Sequence, residues 1–222
     1  MGMAGWLVCA AGCGKGNWAA IPRSAPGAGP AVGFELARIE TTVGDFVGYL
    51  NAAGTADFPE TAQIVRRAGG GYAAKADAAR QAVAEVTGAE AEAYCAWRSR
   101  QEGRTVRLPT AAEWTWAARG GVDGAPYPWG WGGNPAERAR FDAPGPAARG
   151  GMYPANGFGL YDVAGNLHEW CAADPAGPAK RRQACGGSWA ERDPRCLEVA
   201  HRQDFPVDYR GRDVGFRALR ED

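Results

Sequence analysis

The sequence has no excess of either charge and very little lysine. Its 222 residues carry 25 basic and 25 acidic side chains, and only Lys15, Lys75 and Lys180 among the basic residues are lysines. A protein that binds nucleic acid or an anionic membrane through its general surface needs a basic excess. The balanced charge therefore argues against nucleic acid and against a membrane surface as partners.

Long apolar runs and histidine are also scarce. No run of about 18 apolar residues is present, so no transmembrane helix is predicted. The two histidines, His168 and His201, lie 33 positions apart and form no evident triad of two histidines and a carboxylate. We therefore expect no iron site, and we expect each histidine to be packed or hydrogen-bonded.

Glycine, proline and tryptophan are abundant, with 33, 15 and 9 residues. Hydrophobic residues make up 45% of the chain, which predicts a packed core, and the length suits one sizeable domain. Many glycines and tryptophans with few long periodic segments predict an irregular, loop-rich domain held by aromatic anchors.

The N-terminal segment leaves two interpretations open. Residues 1–12 are apolar, and Cys13 follows Ala-Ala-Gly as in a bacterial lipoprotein cleavage site, but the segment is short and lacks a basic start. Residues 1–33 are interpreted as a possible lipoprotein signal and linker, and residues 34–222 as the folded domain. Residues 14–33 can alternatively be an eroded first strand. Export to the cell envelope and a cytoplasmic location both stay open. A lipid at Cys13 is the one membrane attachment expected, and the protein is expected to be monomeric.

Three threonines begin amphipathic segments. Thr42, Thr87 and Thr110 each precede an acid by three positions, which is the pattern of a helix N-cap. Glycines at 54, 103 and 120 predict the three helix ends. The expected inner faces are Ala93, Tyr94 and Trp97 in the second helix, and Trp114, Ala117 and Ala118 in the third.

The other elements are expected to be short. Residues 34–40, 197–202 and 214–219 are predicted strands, residues 186–189 a bulged strand, and residues 75–84 a loop with some helix. Residues 122–155 predict a long loop. Its aromatic cluster at 127–131 either anchors this loop on the core or forms an exposed ligand platform.

Residues 156–170 are the most information-dense stretch. Three glycines allow unusual backbone angles, and Asp162 and Glu169 place two carboxylates seven residues apart. A rigid loop with two carboxylates and free carbonyls suits a calcium ion. The alternative is a turn-rich core segment whose acids face water.

Four segments now stand in one order: residues 107–121, 156–170, the Gly-Gly-Ser-Trp run at 186–189 and the Gly-Phe-Arg run at 215–217. Together they resemble the formylglycine-generating enzyme, or sulfatase-modifying factor, family over residues 34–219. The resemblance implies an α+β, irregular C-type-lectin-like fold with little regular secondary structure. This family includes copper-dependent oxidases that convert a sulfatase cysteine to formylglycine, iron-dependent sulfoxide synthases, and binding proteins without chemistry, so its fold does not settle activity.

The resemblance also locates the copper site of the active oxidases. In those enzymes two cysteines, five positions apart after the Gly-Gly-Ser turn, hold the metal. Here the first position falls on Glu191 and the second on Cys196. A lone thiolate beside a carboxylate suits Cu(I) poorly, so copper is not expected, and Cys196 is the single catalytic candidate.

The resemblance implies a structural calcium site within residues 156–170. Its ligands would be the side chains of Asp162 and Glu169 and the carbonyls of Gly165 and Leu167. It also implies that Cys95 is a free buried thiol, because Ala218 occupies the position of its partner. If the protein is exported, a disulfide is predicted among Cys171, Cys185 and Cys196.

The leading functional hypothesis is a calcium-stabilised binding module for a protein or peptide ligand, with a retroelement-diversified receptor as a sub-case. The alternative is a formylglycine-generating-type oxidase, or a related oxygen-dependent enzyme, acting on a thiol through Cys196. The expected ligand-binding residues are equally compatible with surface ion pairs and packing: Trp189, Glu191, Arg192, Arg202, Asp204, Phe205 and Tyr209.

Overall fold

The computed structural model describes residues 17–25, 27, 29–174 and 180–222. The predicted signal, with its apolar residues 1–12 and Cys13, lies outside this part. In chain order the regular elements are β1 (Trp18–Ile21), β2 (Phe34–Ala37), α1 (Val43–Ala52), β3 (Ile64–Arg66), β4 (Tyr72–Ala74), α2 (Gly88–Glu102), β5 (Val106–Arg107), α3 (Ala111–Ala118), β6 (His168–Trp170), β7 (Arg181–Cys185), β8 (Gln203–Pro206), β9 (Val214–Gly215) and β10 (Leu219–Glu221). Two 3-10 helices, Pro135–Glu137 and Pro194–Leu197, complete them.

The strands form three small sheets. An antiparallel sheet has the order β1-β2-β10-β5, a second pairs β3 with β4, and a third has the order β8-β7-β6-β9 with β6 and β9 parallel. These short strands and three helices confirm the predicted α+β class with little regular secondary structure. No helix in the described ranges is long and apolar enough to cross a membrane.

The three predicted helix starts are confirmed. Thr42 accepts a hydrogen bond from the backbone of Asp45, and Thr87 and Thr110 each form a complete capping box with the acid three residues on. Gly103 ends α2 in the left-handed conformation, at φ 64°. These ends were predictable because capping depends on groups within one turn of the chain.

The buried face of α2 differs in part from the prediction. Ala91, Tyr94, Cys95 and Arg98 are buried, whereas Ala93 is exposed. Positions 91, 94, 95 and 98 lie on one helical stripe, and position 93 lies off it. In α3, Trp114, Ala117 and Ala118 face inward as predicted.

Two of the later strand predictions are wrong. Strand β7 ends at Cys185, and Gly186 and Gly187 follow at φ values of 95° and 70°, so residues 186–189 form a turn. Residues 197–202 are not a strand, because the 3-10 helix that begins at Pro194 displaces the next strand to Gln203.

Two other predictions are corrected. Residues 214–219 divide into β9 and β10, which belong to different sheets. Residues 75–84 contain turns and isolated bridges but no helix, and Asp77 adopts a left-handed φ of 62° that interrupts a helix.

Strand β1 lies inside the segment predicted to be a linker. It pairs with β2 from Trp18↔Ala37 to Ile21↔Phe34. The Trp18 ring lies between two guanidinium groups, 4.8 Å from that of Arg98 and 4.7 Å from that of Arg220. The folded domain therefore extends upstream of residue 34, at least to Trp18.

The main core is aromatic. Phe46 in α1 contacts the rings of Tyr94 in α2 and Phe216 between β9 and β10. A neighbouring cluster contains Trp114, Cys171 and Cys185, and it packs α3 against the third sheet. Both clusters support β6, which ends the stretch 156–170, and β7, which leads into the Gly-Gly-Ser turn.

Candidate functional site

The central loop, residues 156–170, is tied to the end of α3 by Asn156. Its side-chain nitrogen donates to the carbonyls of Ala117 and Ala118, and its side-chain oxygen accepts from the backbone of Phe158 and Leu160. A Cβ at Gly157 would overlap the carbonyl of Gly120. This position therefore requires glycine, because the two backbones touch.

Glu169 lies in β6 and is fully buried against Arg217. Arg217 donates from Nε to one carboxylate oxygen at 2.7 Å and from Nη2 to the other at 2.6 Å. The indole nitrogen of Trp114 donates to the first of these oxygens at 2.7 Å. Both carboxylate oxygens of Glu169 thus have strong protein donors.

Arg217 also joins the central loop to β2. Its remaining hydrogens are donated to the carbonyls of Ala37, Arg38 and Tyr161. A fully buried guanidinium needs this complete set of acceptors. Arg217 therefore has a structural role that links three distant parts of the chain.

Two further carboxylates lie near this ion pair. Burial, and then the negative charges of Glu169 and Asp162, raise the pKa of Glu40 well above its usual range. Asn166 donates to both oxygens of Glu40 at 3.0 Å. Burial also raises the pKa of Asp162, although the backbone of Gly151, Met152 and Tyr153 donates to it.

The contacts of these carboxylates do not fit the expected calcium ligands. Glu169 is engaged by Arg217 and Trp114, and Asp162 accepts backbone hydrogen bonds from residues 151–153. Among the described residues, no three His, Cys, Asp or Glu side chains are grouped to hold a metal ion. Calcium at Asp162, Gly165, Leu167 and Glu169 stays a prediction from the resemblance.

The Gly-Gly-Ser turn leads directly to the residues at the former copper positions. A Cβ at Gly187 would lie 2.7 Å from the carbonyl oxygen of Cys196, so the turn packs closely on the 3-10 helix Pro194–Leu197. Nε2 of His168 lies 3.0 Å from Oε1 of Glu191. The thiol of Cys196 lies close enough to the same carboxylate for the two groups to shift each other's pKa.

The electrostatics of this cluster favour a carboxylate and a neutral thiol. The hydrogen bond from His168 is the main cause that lowers the pKa of Glu191. Burial, followed by the charge of Glu191, raises the pKa of Cys196 to about 11. At neutral pH, Cys196 is therefore protonated, and it is neither a ready thiolate ligand nor a strong nucleophile.

The two histidines lie on either side of this cluster. His168 is buried and hydrogen-bonded as expected, with the ring of Phe205 at 5.3 Å between centroids. Burial, and then the charge of His168, lower the pKa of His201. Within the described ranges, Nδ1 of His168 and Nε2 of His201 are buried without a protein hydrogen-bond partner.

The seven residues expected to bind a ligand do not all face solvent. Arg192 is exposed, 3.6 Å from Asp142, and the side chain of Asp204 is exposed as well. Trp189 is half-buried and donates to the carbonyl of Arg212. Glu191 keeps 29% of its side chain exposed while it contacts His168.

The other three residues have interior roles. Arg202 donates to the carbonyls of Val199, His201 and Ala111, and so holds this segment on α3. Phe205 is only 9% exposed and stacks on Tyr209 with ring centroids 4.4 Å apart. The surface therefore offers Glu191, Arg192 and Asp204, with Trp189 and Tyr209 partly exposed. Phe205 is buried, and the guanidinium of Arg202 is occupied by protein acceptors.

The cysteines separate into distinct environments. Cys95 is a free buried thiol, as predicted, and burial raises its pKa to about 12. Cys171 and Cys185 touch, with their sulfurs 3.1 Å apart, whereas Cys196 contacts Glu191.

Sequence alone leaves the aromatic cluster at 127–131 open between anchoring the loop and forming an exposed platform, and its residues differ in this respect. Tyr127 and Trp129 stack at 4.9 Å with parallel rings and pack on a small core cluster, whereas Trp131 is 66% exposed. The first two rings anchor the loop.

The roles of Glu40, Asn166 and Arg217 were missed in the sequence. An arginine within the apolar Gly-Phe-Arg segment was the available signal, because a buried arginine requires a buried carboxylate. The sequence did not indicate which acid pairs with it.

The fold and the ordered sequence motifs define a class: a formylglycine-generating-enzyme-like domain. Residues 28–222 match the family model described as the sulfatase-modifying factor enzyme 1-like domain, and the chain belongs to that family.

Three relatives illustrate its position in the family. The chain is 39% identical over 123 residues to an inactive C-alpha-formylglycine-generating enzyme 2 of Mus musculus, covering 49% of this chain and 38% of that protein. It is 34% identical over 169 residues to a formylglycine-generating enzyme of Thermomonospora curvata, covering 61% and 54%. The structure of PvdO from Pseudomonas aeruginosa superimposes with a TM-score of 0.70 at 28% identity, covering 86% of this chain and 82% of PvdO.

The match to the two curated relatives thus spans about two-fifths and about half of their lengths. One relative is described as an inactive enzyme and the other as an active one, so the family assignment is compatible with both kinds of protein.

Proposed function

We propose that this chain is a non-catalytic member of the family that binds a protein or peptide ligand. The observation that carries the proposal is the hydrogen bond between His168 and Glu191, which lies near Cys196 where the resemblance places the copper pair of the active oxidases. The similarity to an inactive formylglycine-generating enzyme 2 supports it.

The chemistry of the altered pair argues against the oxidase reaction. Cu(I) prefers soft thiolate ligands, and a carboxylate is a hard ligand. Glu191 is charged and held by His168, while Cys196 keeps its proton at neutral pH because its pKa is about 11. Copper would have to displace this proton and compete with the hydrogen bonds of the cluster.

The surface beside this cluster supports ligand binding. Glu191, Arg192 and Asp204 offer both signs of charge, and Trp189 offers a partly exposed aromatic edge. Mixed charges and an aromatic group suit a polar protein or peptide segment. A receptor diversified by a retroelement is a special case, and an adenine-templated repeat beside the gene would identify it.

The proposed ligand surface can be tested with a displayed library of random peptides. Peptides captured by the full chain are expected to bind at least tenfold more weakly to the charge-reversed variant Arg192→Glu, because the exposed guanidinium is replaced by an acid. Arg67→Glu, at an exposed arginine in the turn between β3 and β4, is the matched control and should bind as the parent does. Capture that is equal for all three proteins would contradict the assignment of this surface.

A formylglycine-type oxidase acting through Cys196 is the competing function. A peptide carrying the target cysteine of a sulfatase, supplied with copper and a reductant, would then be oxidised with uptake of oxygen. We expect neither oxygen uptake nor aldehyde formation. Turnover that depends on Cys196 would overturn the proposal.

A further inference from the structure

Cys171 and Cys185 form a thiol pair that the ligand-binding function does not use. Cys185 ends β7, and Cys171 directly follows β6 on the neighbouring antiparallel strand. Their sulfur atoms are 3.1 Å apart, and neither residue is exposed. This pairing is specific, since Cys95 lies in another cluster and Cys196 contacts Glu191.

The register of the two strands places both thiols on one face. Glu169 is opposite Cys185, and Trp170 is opposite Ala184. Side chains alternate between the faces of a strand, so Cys171 shares the face of Glu169 and therefore that of Cys185. Cys171 is two positions along the chain from Glu169, the residue directly opposite Cys185, so the two cysteines are diagonal neighbours on this face. Both side chains lie in the buried cluster that contains Trp114 of α3.

We propose that Cys171 and Cys185 are the site of a reversible intramolecular disulfide. The sulfurs would approach by about 1 Å to reach the bonded distance of roughly 2.05 Å. In the balanced reaction, one protein thiolate attacks a small-molecule or protein disulfide and releases one thiol. The second protein thiolate then attacks the mixed disulfide and releases the other, so two protein thiols lose two protons and two electrons to the oxidant.

The timing of this reaction follows from burial. Exchange requires a thiolate that an oxidant can reach. In the folded sheet both sulfurs are inaccessible, and the hydrogen bond with Cys185, followed by burial, raises the pKa of Cys171. The bond therefore forms while β6 and β7 are still separated, and the closed sheet then protects it from reductants.

The disulfide would cross-link β6 and β7, the two strands that support the segment with Glu191 and Cys196. Strand β6 holds His168 and Glu169, and β7 leads into the turn that positions Glu191. The bond closes a chain segment of about 15 residues, for which the expected stabilisation corresponds to a rise in melting temperature of roughly 5–10 °C in a domain of this size.

The test uses the full chain, refolded in either oxidised or reduced glutathione. After oxidised refolding, we expect peptide mass spectrometry to find one cross-link between Cys171 and Cys185, with the loss of two hydrogens. Melting should occur roughly 5–10 °C higher than after reduced refolding. Cys171→Ala and Cys185→Ala should both abolish this redox dependence.

Cys95→Ala is the matched control, because it removes an equally buried thiol that has no cysteine beside it. This variant should retain the cross-link and the full difference in melting temperature. Because an alanine variant can fail to fold, detection of the cross-link in the parent protein tests the proposal independently of the variants. Free Cys171 and Cys185 thiols after oxidised refolding, or a cross-link that involves Cys196 instead, would overturn the proposal.

Discussion

At the scale of single residues, the chain uses its buried charges for structure. Arg217 contacts both oxygens of Glu169, and it also donates to carbonyls in β2 and in the central loop. Removing one partner of such a buried pair generally costs about 3–5 kcal/mol, because the other charge is left without compensation. Glu169, one of the two carboxylates expected to bind calcium, is a member of this network.

Glu40 makes the stability of the fold depend on pH. Its folded-state pKa is raised by burial and by the neighbouring acids, so the folded protein retains a proton that the unfolded chain releases. The free energy of unfolding therefore falls as the pH rises from about 4.5 through the folded-state pKa. Glu40→Gln keeps the shape of the side chain without this proton release.

We expect Glu40→Gln to flatten the decline in melting temperature between about pH 5 and pH 8. Glu60→Gln, at an exposed site, is the control and should follow the parent curve. Equal slopes in the parent and in Glu40→Gln would show that Glu40 is ionised in the folded protein.

At the scale of elements, the helices were predictable and the later strands were not. The N-caps at Thr42, Thr87 and Thr110 depend on neighbours three residues away, so local sequence reveals them. The turn at Gly186 and Gly187 has left-handed backbone angles that a strand cannot hold, and Pro194 starts a 3-10 helix where a strand was expected. In both places, Gly and Pro override the apolar pattern.

The capping box of α2 provides a direct test at this scale. Thr87→Ala removes the acceptor for the backbone of Glu90 and should lower the free energy of unfolding by about 1 kcal/mol. The melting temperature should fall by roughly 2–4 °C. Thr87→Ser preserves the hydroxyl and should lose much less. An unchanged melting temperature for Thr87→Ala would show that α2 is held by its packing alone.

The candidate site was predictable only in part, because some of its contacts join residues that are far apart along the chain. The spacing after the Gly-Gly-Ser turn drew attention to Glu191 and Cys196, which lie within one local segment. The partner of Glu191 is His168, 23 positions away, and that of Glu169 is Arg217, 48 positions away. Such pairings depend on the register of β6 with its neighbours, which no local pattern specifies.

At the scale of the whole molecule, the fold is maintained by internal pairing in the central loop. Calcium binding would require both carboxylates to give up protein donors. The melting temperature in millimolar calcium and in a chelator therefore tests the calcium prediction, and values equal within about 1 °C would show that the protein donors are retained. A rise in melting temperature with calcium that Asp162→Ala abolishes would support a calcium site formed by Asp162, Gly165, Leu167 and Glu169.

Residue 191 is the position at which the copper interpretation can be tested by substitution. Glu191→Cys would return a thiol to the first position of the former pair, five positions before Cys196. We expect this variant to gain stoichiometric Cu(I) binding. Glu198→Cys, which adds a thiol on the other side of Cys196, is the matched control and should not bind stoichiometrically.

The central claim is that the parent protein has no working copper pair, and a Cu(I) titration tests it most directly. The fully reduced chain would be titrated against a chromogenic Cu(I) chelator, beside Cys196→Ser and Glu191→Cys. The account predicts that the parent and Cys196→Ser leave the copper with the chelator, whereas Glu191→Cys removes one equivalent. Tight one-to-one binding by the parent that Cys196→Ser abolishes would contradict it.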